Sequence, residues 1–101
     1  MSRGHVAPRA RLDMLEIWHF IARHSVQNAG KVWDDLRSAI DLLVTSPGIG
    51  HARPEAGDPT LKFWPVHSYL IVYRPRGKTI DVPRVVDGRR DLRKLFRRRK
   101  P

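Results

Sequence analysis

The stretch PVHSYLIVYRP, residues 65–75, is the part of the sequence that decides the fold. Within it, residues 69–74 are almost all aliphatic or aromatic, a composition that is typical of a β-strand. Successive side chains of a strand point to opposite faces of the sheet, so Leu70 and Val72 are predicted on one face. The other face is predicted to carry Tyr69, Ile71 and Tyr73. The centre of the chain is therefore predicted to be one strand of a half-buried sheet.

Two further strands are predicted beside this one, at residues 61–66 and 79–86. Residues 75–78, Pro-Arg-Gly-Lys, are predicted to form the hairpin turn that joins the last two strands. Pro83 has no backbone N–H for a sheet ladder, so it is predicted at a bulge or with its nitrogen facing outward. The pattern at residues 5–7 also allows a short first strand.

Upstream of the strands, residues 9–23 show the helical period of apolar side chains. The apolar positions of this period are Met14, Ile17, Trp18 and Ile21. The opposite, solvent-facing side is predicted to carry Asp13, Glu16 and Arg23. Phe20 falls among these polar residues. We interpret it either as an exposed aromatic of no consequence or as a contact for a partner.

A second helix is predicted to begin after Ser25, whose side chain suits an N-cap, and to end before Pro47. Its apolar face carries Ala29, Val32, Trp33, Leu36, Ala39, Ile40 and Leu43. Few residues separate the two helices, so they are predicted to form an antiparallel hairpin. A closing helical turn is predicted from Leu92, Leu95 and Phe96. The predicted fold class is α+β, with an N-terminal helical hairpin packed on a small antiparallel sheet and a short basic C-terminal helix.

The chain of 101 residues is predicted to form a single domain, with residues 97–101 as a flexible basic tail. It contains no cysteine, which excludes disulfides and thiolate zinc sites and fits a reducing cytosol. The N-terminus lacks the apolar run of a signal peptide, and the longest apolar stretch, residues 69–73, is far too short to span a bilayer. We therefore expect a cytoplasmic protein without a membrane partner.

Charge is the compositional feature that most restricts function. Twenty Lys and Arg residues against ten Asp and Glu give a net charge of +10, which favours nucleic acid, an anionic membrane surface or an acidic protein as partner. The excess is concentrated in the last eighteen residues, where only Asp87 and Asp91 oppose it. The cations of this region are Arg84, Arg89, Arg90, Arg93, Lys94, Arg97, Arg98, Arg99 and Lys100.

The familiar catalytic patterns are missing from the sequence. His19 and His24 are five residues apart, which does not place two metal ligands on one helix face, so no metal site is expected. No glycine-rich phosphate loop or nucleophile elbow is present, and no cofactor or small-molecule substrate is expected. The strand region carries a larger group of cationic and aromatic side chains: Arg53, Lys62, His67, Tyr69, Tyr73, Arg74 and Arg84. Such a set either holds phosphates and stacks bases or is an ordinary half-buried sheet face.

The order of strand, helical hairpin, three strands and short basic helix resembles the RelE/ParE superfamily of type II toxins. The local motifs resemble its ParE branch: Pro8-Arg9-Ala10, Leu12, Leu15-Glu16-Ile17-Trp18, Phe20-Ile21-Ala22, Ser46-Pro47-Gly48-Ile49-Gly50, Arg53-Pro54-Glu55, residues 65–75 and residues 84–92. The resemblance covers nearly the whole chain. Many members have Gly where His67 stands, Arg where Lys62 stands, and His-Gly where Asp87-Gly88 stands.

The resemblance implies one of two mechanisms. RelE-like toxins are ribosome-dependent endoribonucleases with a catalytic His or Tyr near the C-terminus, and here no His or Tyr follows Tyr73. ParE-like toxins are understood to inhibit DNA gyrase by binding it, which needs no acid/base pair, so this mechanism is favoured and no catalytic residue is expected. The alternative is an mRNA interferase that uses Lys62, Arg74 and Arg84 for phosphate and His67 or Tyr69 as base. An inactive member that only binds is the third interpretation.

The resemblance also implies a cognate antitoxin, which we expect to be acidic and to form a hetero-oligomer with the chain. The antitoxin groove is predicted between the helical hairpin and the sheet, although Trp18, Trp33 and Leu36 also fit an ordinary core. Its predicted lining is Leu15, Trp18, Phe20, Trp33, Leu36, Tyr73 and Arg74. The target-facing surface is predicted to consist of Arg84, Arg89, Arg90, Arg93, Lys94, Leu95, Phe96 and Arg97.

Overall fold

The computed structural model describes residues 4–96. These residues form four strands and three α-helices, with one 3₁₀ turn. In order, these are β1 (Gly4–Val6), α1 (Pro8–Ala22), α2 (Val26–Thr45), the 3₁₀ turn Pro54–Ala56, β2 (Lys62–Val66), β3 (Tyr69–Arg76), β4 (Thr79–Asp87) and α3 (Leu92–Leu95). The predicted α+β class and the predicted order of helices and strands are confirmed.

The sheet has the strand order β1-β4-β3-β2. The pairs β2–β3 and β3–β4 are antiparallel, as predicted, but β1 pairs with β4 in parallel. The prediction of a purely antiparallel sheet is therefore wrong for its first strand. A parallel pair requires a long connection. Here the two helices and two strands lie between β1 and β4 in the chain, which meets that requirement.

The two long helices begin as their sequences predict. Pro8 occupies the first turn of α1, where a backbone N–H would have no acceptor within the helix, so proline costs no hydrogen bond there. Ser25 caps α2 by accepting a hydrogen bond from the backbone N–H of Asn28 at 3.0 Å. Only residues 23–25 separate the helices, so α1 and α2 form the predicted hairpin.

Each face of the sheet has its own core. The face towards the helical hairpin carries Ile71 and Tyr73, which are buried against side chains of α1 and α2. The opposite face carries Leu70 and Val72, which are buried against the segment after α2 and against α3. This split confirms the alternation that the sequence of β3 predicts.

A bulge in β4 keeps the first core continuous. Val72 pairs with Arg84 and Arg74 pairs with Asp81, so Tyr73 lies opposite two residues of β4, Val82 and Pro83. The extra residue shifts the alternation of side chains along β4 by one position. Val82 and Val85, which are three residues apart, consequently both point into the first core. Pro83 lies at this bulge, as predicted.

Candidate partner-binding surfaces

A pocket of about 290 Å³ opens where α1 and α2 meet the edge strand β1; we call it the hairpin groove. Its lining residues are Gly4, Val6, Arg11, Met14, Leu15, Trp33, Arg37, Ile40 and Asp41. The floor is apolar, and Leu15 is 47% exposed although it is a leucine in the middle of a helix. Two arginines and one aspartate lie among the lining, so the groove combines an apolar floor with a small excess of positive charge.

A second, shallower pocket of about 370 Å³ lies between α1 and the ends of β3 and β4; we call it the strand-end groove. Its lining residues are Asp13, Glu16, Ile17, Phe20, Ser68, Tyr69, Arg84, Val85, Val86, Asp87, Arg89 and Arg90. Phe20 is 58% exposed, and the guanidinium carbon of Arg23 lies 5.9 Å from the centre of its ring. The prediction that Phe20 is exposed is confirmed.

An ion pair ties α1 to β4 in the strand-end groove. The guanidinium of Arg84 donates to both carboxylate oxygens of Asp13, at 2.8 and 3.1 Å. The backbone N–H of Val85 donates to the same carboxylate at 2.9 Å. Asp13 is only 4% exposed, so the prediction that it faces solvent is wrong. The α1 helix presses this polar position against β4, and Arg84 is consequently engaged within the chain.

The residues predicted to line one antitoxin groove are distributed over two grooves and the buried core in the structure. Leu15 and Trp33 line the hairpin groove, Phe20 lines the strand-end groove, and Trp18 is half-buried and lines neither. Leu36 and Tyr73 are fully buried, so the prediction that they line a groove is wrong.

Arg74 also departs from its predicted place, because it lies on the face of β3 away from the helices. There its guanidinium donates to Asp58 and Thr60, both at 3.1 Å. The alternation of side chains along β3 is the physical reason: Arg74 shares its face with Leu70 and Val72, not with Tyr73.

Some of the residues predicted to face the target are engaged within the chain, and others are exposed. Leu95 and Phe96 pack against the second core, with the rings of Phe63 and Phe96 at 6.1 Å, so they are not free apolar anchors. Arg84 is engaged by Asp13. Arg97 lies outside the described residues. The remaining cations are exposed, and we call them the basic segment: Arg89, Arg90, Arg93 and Lys94.

Within the basic segment, Arg89 donates to both oxygens of Asp87 at 3.2 Å, and this contact lowers the pKa of that carboxyl. In the part of the chain that the structure describes, Arg90, Arg93 and Lys94 form no ion pair. These three charges are therefore open to a partner.

Most of the residues proposed for a nuclease are engaged by aspartates of the same chain. Arg74 and Arg84 are each engaged by an aspartate, Arg74 by Asp58 and Arg84 by Asp13. The Nε2 atom of His67 lies 2.7 Å from a carboxylate oxygen of Asp35. Burial, followed by the nearby charge of Asp87, raises the pKa of Tyr69, which makes its hydroxyl harder to deprotonate.

Sequence reasoning missed the tie between His67 and Asp35. This contact holds the turn between β2 and β3, which contains His67, against α2, which contains Asp35. His67 adopts φ = 54°, the left-handed region that glycine favours. The glycine that many ParE-like sequences carry at this position was the available signal.

Residues 4–96 contain neither a metal-binding group of side chains nor a helix suited to span a membrane. This part of the chain has no group of three or more His, Asp or Glu side chains placed to hold a metal ion. None of its helices is long and apolar enough to cross a membrane.

Comparison with known proteins identifies the family. Residues 5–92 match the model of the family described as ParE toxin of type II toxin–antitoxin system, parDE. The chain is 34% identical over 93 residues to Toxin ParE1 in each of two strains of Mycobacterium tuberculosis, CDC 1551 / Oshkosh and ATCC 25618 / H37Rv, covering 90% of this chain and 94% of the relative.

Among solved structures, a chain from the chromosomal ParDE TA system of P. aeruginosa has the same fold, with a TM-score of 0.69. The likeness covers 86% of this chain and 96% of that one at 20% identity. The resemblance read from the motifs is confirmed: the chain belongs to the ParE toxin family of type II toxin–antitoxin systems.

Proposed function

We propose that this chain is a toxin that inhibits DNA gyrase by binding it and that a cognate acidic antitoxin neutralises it. Membership of the ParE family carries the proposal. Both the target and the antitoxin imply a cytoplasmic site of action. The mechanism requires no bond to be cut, and no residue is assigned a catalytic role.

The surroundings of the nuclease candidates favour binding over catalysis. Cleavage of RNA would need cations around the scissile phosphate and a base at the 2′-hydroxyl. Arg74 and Arg84 are already paired with aspartates, Asp58 and Asp13 respectively. Because its pKa is raised, the Tyr69 hydroxyl keeps its own proton near neutral pH and is poorly suited to act as that base.

The hairpin groove supports the proposal of an acidic, apolar antitoxin segment as its occupant. Leu15 offers an exposed aliphatic contact, and Arg11 and Arg37 lie in the same lining. An acidic segment that folds on this groove would gain apolar burial and charge complementarity together. The net charge of +10 would also speed its association.

A supercoiling assay tests the proposed target. Purified toxin is titrated into DNA gyrase with relaxed plasmid, and supercoiling is expected to fall as toxin is added. Addition of the co-expressed antitoxin is expected to restore it. Undiminished supercoiling at saturating toxin would reject gyrase as the target.

A second assay distinguishes the nuclease alternative. The toxin is added to a reconstituted translation system, and the mRNA is analysed for new 5′ ends. Intact mRNA is expected. Cleavage that disappears in both His67→Ala and Tyr69→Phe would favour the interferase and contradict the binding mechanism.

A further inference from the structure

The basic segment is a concentrated and open patch of positive charge. Its four cations lie within six consecutive residues, 89–94, against a single carboxylate in that range, Asp91. Asp91 is engaged as the N-cap of α3, where it accepts a hydrogen bond from the backbone N–H of Arg93 at 3.0 Å. The side chain of Arg89 is 89% exposed even though it contacts Asp87. The patch therefore presents its charge to solvent.

Apolar anchors are missing from the described part of this patch. Leu92 is 4% exposed, and Leu95 and Phe96 pack against the second core. Within residues 4–96, the exposed large apolar side chains all lie on α1, on α2 or in the segment after α2: Leu12, Leu15, Phe20, Val26, Leu42 and Ile49. The anchors of protein interfaces are mainly Trp, Tyr and Arg side chains that become buried at a desolvated, well-packed centre. Among the described residues, Phe20 is thus the one exposed large apolar side chain that shares a groove with these cations, and the patch suits a polyanion better than a protein.

A nucleic-acid duplex presents such a polyanion, with about one phosphate charge per 1.7 Å of its axis. Lys and Arg side chains bind phosphates without a pocket, and such contacts carry no sequence information. The α3 helix has only four residues, which is too short to read bases from within a groove in the way that recognition helices do.

We propose that Arg89, Arg90, Arg93 and Lys94 bind the phosphate backbone of a nucleic-acid duplex independently of its sequence. This activity goes beyond gyrase inhibition and does not depend on it. The hairpin groove is then the surface for protein and the basic segment the surface for phosphate, although Arg89 and Arg90 also line the strand-end groove with Phe20.

Fluorescence anisotropy of the full chain with a labelled DNA duplex of about 25 base pairs tests the proposal, with salt varied from about 50 to 200 mM. We expect a dissociation constant of about 10⁻⁴ to 10⁻⁶ M near physiological salt, and similar values for duplexes of unrelated sequence. A duplex RNA of the same sequence distinguishes the two sources of phosphate. Equal affinity for DNA and RNA would show that the phosphate backbone common to both is the ligand. Higher affinity for one of the two duplexes would identify that duplex as the ligand.

The decisive variant is the triple substitution Arg90→Ala, Arg93→Ala and Lys94→Ala. It is expected to weaken duplex binding at least about tenfold and to reduce the slope of log affinity against log salt by about 3, one for each cation removed. The matched control is Lys31→Ala, Arg76→Ala and Lys78→Ala, which removes the same charge from exposed positions elsewhere. Circular dichroism checks that both variants are folded.

Three results would overturn the proposal: equal weakening by both triple variants, no binding of wild type at the lowest salt, or tighter binding of an acidic peptide of the same charge than of the duplex. The supercoiling assay is run on the same variants. Intact duplex binding by a chain that does not inhibit gyrase would leave this inference standing and reject only the proposed target.

Discussion

The carboxylate of Asp13 accepts two hydrogen bonds from the guanidinium of Arg84, one from Nε at 2.8 Å and one from Nη2 at 3.1 Å. The two residues are 71 positions apart in the sequence. It also accepts the backbone N–H of Val85. This buried cluster joins the first helix to the last strand, and Arg9 lies at its exposed side, 3.3 Å from the same carboxylate.

Arg84→Ala is expected to lower the free energy of unfolding by about 3 to 5 kcal/mol, because it leaves the buried Asp13 carboxylate without its main partner. Arg9→Ala is the matched control and is expected to cost at most about 1 kcal/mol, because its side chain is half exposed. Urea unfolding followed by tryptophan fluorescence measures both. Equal effects of the two substitutions would contradict the assigned role of the buried pair.

His67 holds a backbone conformation that favours glycine, with φ = 54°, while its ring contacts Asp35. Both His67→Ala and His67→Gly remove the ring, but only the glycine also relieves the left-handed strain. We expect the glycine variant to be more stable than the alanine variant by about 1 kcal/mol. Urea midpoints measured side by side test this order. An alanine variant as stable as the glycine variant would show that the turn carries no such strain.

Gly50 lies against the ring of Tyr73, whose hydroxyl accepts the backbone N–H of Gly50 at 2.9 Å and donates to the carbonyl of Pro47 at 2.7 Å. A Cβ at Gly50 would overlap the hydroxyl and lie 2.6 Å from Cε1 of the ring. Gly50→Ala is therefore expected to lower the free energy of unfolding by about 1 to 3 kcal/mol.

Tyr73→Phe should not rescue the Gly50→Ala variant, because Cε1 remains in place. Gly48→Ala is the control, since a Cβ there meets nothing within 4 Å. Thermal unfolding of the three variants tests the prediction. Full rescue by Tyr73→Phe would place the clash at the hydroxyl alone.

Burial raises the pKa of Tyr73 above its ordinary value of 10.0. A group whose pKa is higher in the folded than in the unfolded state stabilises the fold fully below the unfolded value and loses that contribution as pH rises. The free energy of unfolding is therefore expected to fall above about pH 10, and to fall less steeply in Tyr73→Phe. Urea unfolding between about pH 8 and 11 measures the difference. Identical pH profiles of the two proteins would contradict it.

Antitoxin binding is expected to depend on Leu15. Leu15→Ala should weaken the complex at least about tenfold, or about 1.4 kcal/mol, because it removes an aliphatic contact from the floor of the hairpin groove. Leu42→Ala is the control, since Leu42 is similarly exposed, at 44% against 47%, but lines neither groove. Isothermal titration calorimetry measures both.

Phe20→Ala extends this test to the strand-end groove. Unchanged affinity in Phe20→Ala together with weaker binding in Leu15→Ala would confine the antitoxin to the hairpin groove. Unchanged affinity in both variants would contradict the proposed site.

Local patterns predicted much of this fold. The apolar period of α2 and the N-cap at Ser25 act through neighbouring residues, so their effects can be read from the sequence. The same holds for the alternation along β3, which places Leu70 and Ile71 in different cores. Pro83 indicated a bulge because proline cannot donate to a ladder. Each of these features depends on chemistry within a few residues.

Long-range contacts account for the errors. Asp13 and Arg84 are each ordinary surface residues by their local pattern, and only the packing of α1 on β4 brings them together in a buried pair. Leu95 and Phe96 likewise resemble free anchors beside a run of cations in the sequence, but in the fold they pack against the second core.

The sequence by itself determined the elements, the faces of the strands, the family and the excess of positive charge, because these follow from residue types and short spacings. Only the tertiary structure decided which charges and apolar side chains remain open to a partner. That outcome depends on pairing and burial between residues far apart in the chain, where the partner of a given side chain has no fixed spacing.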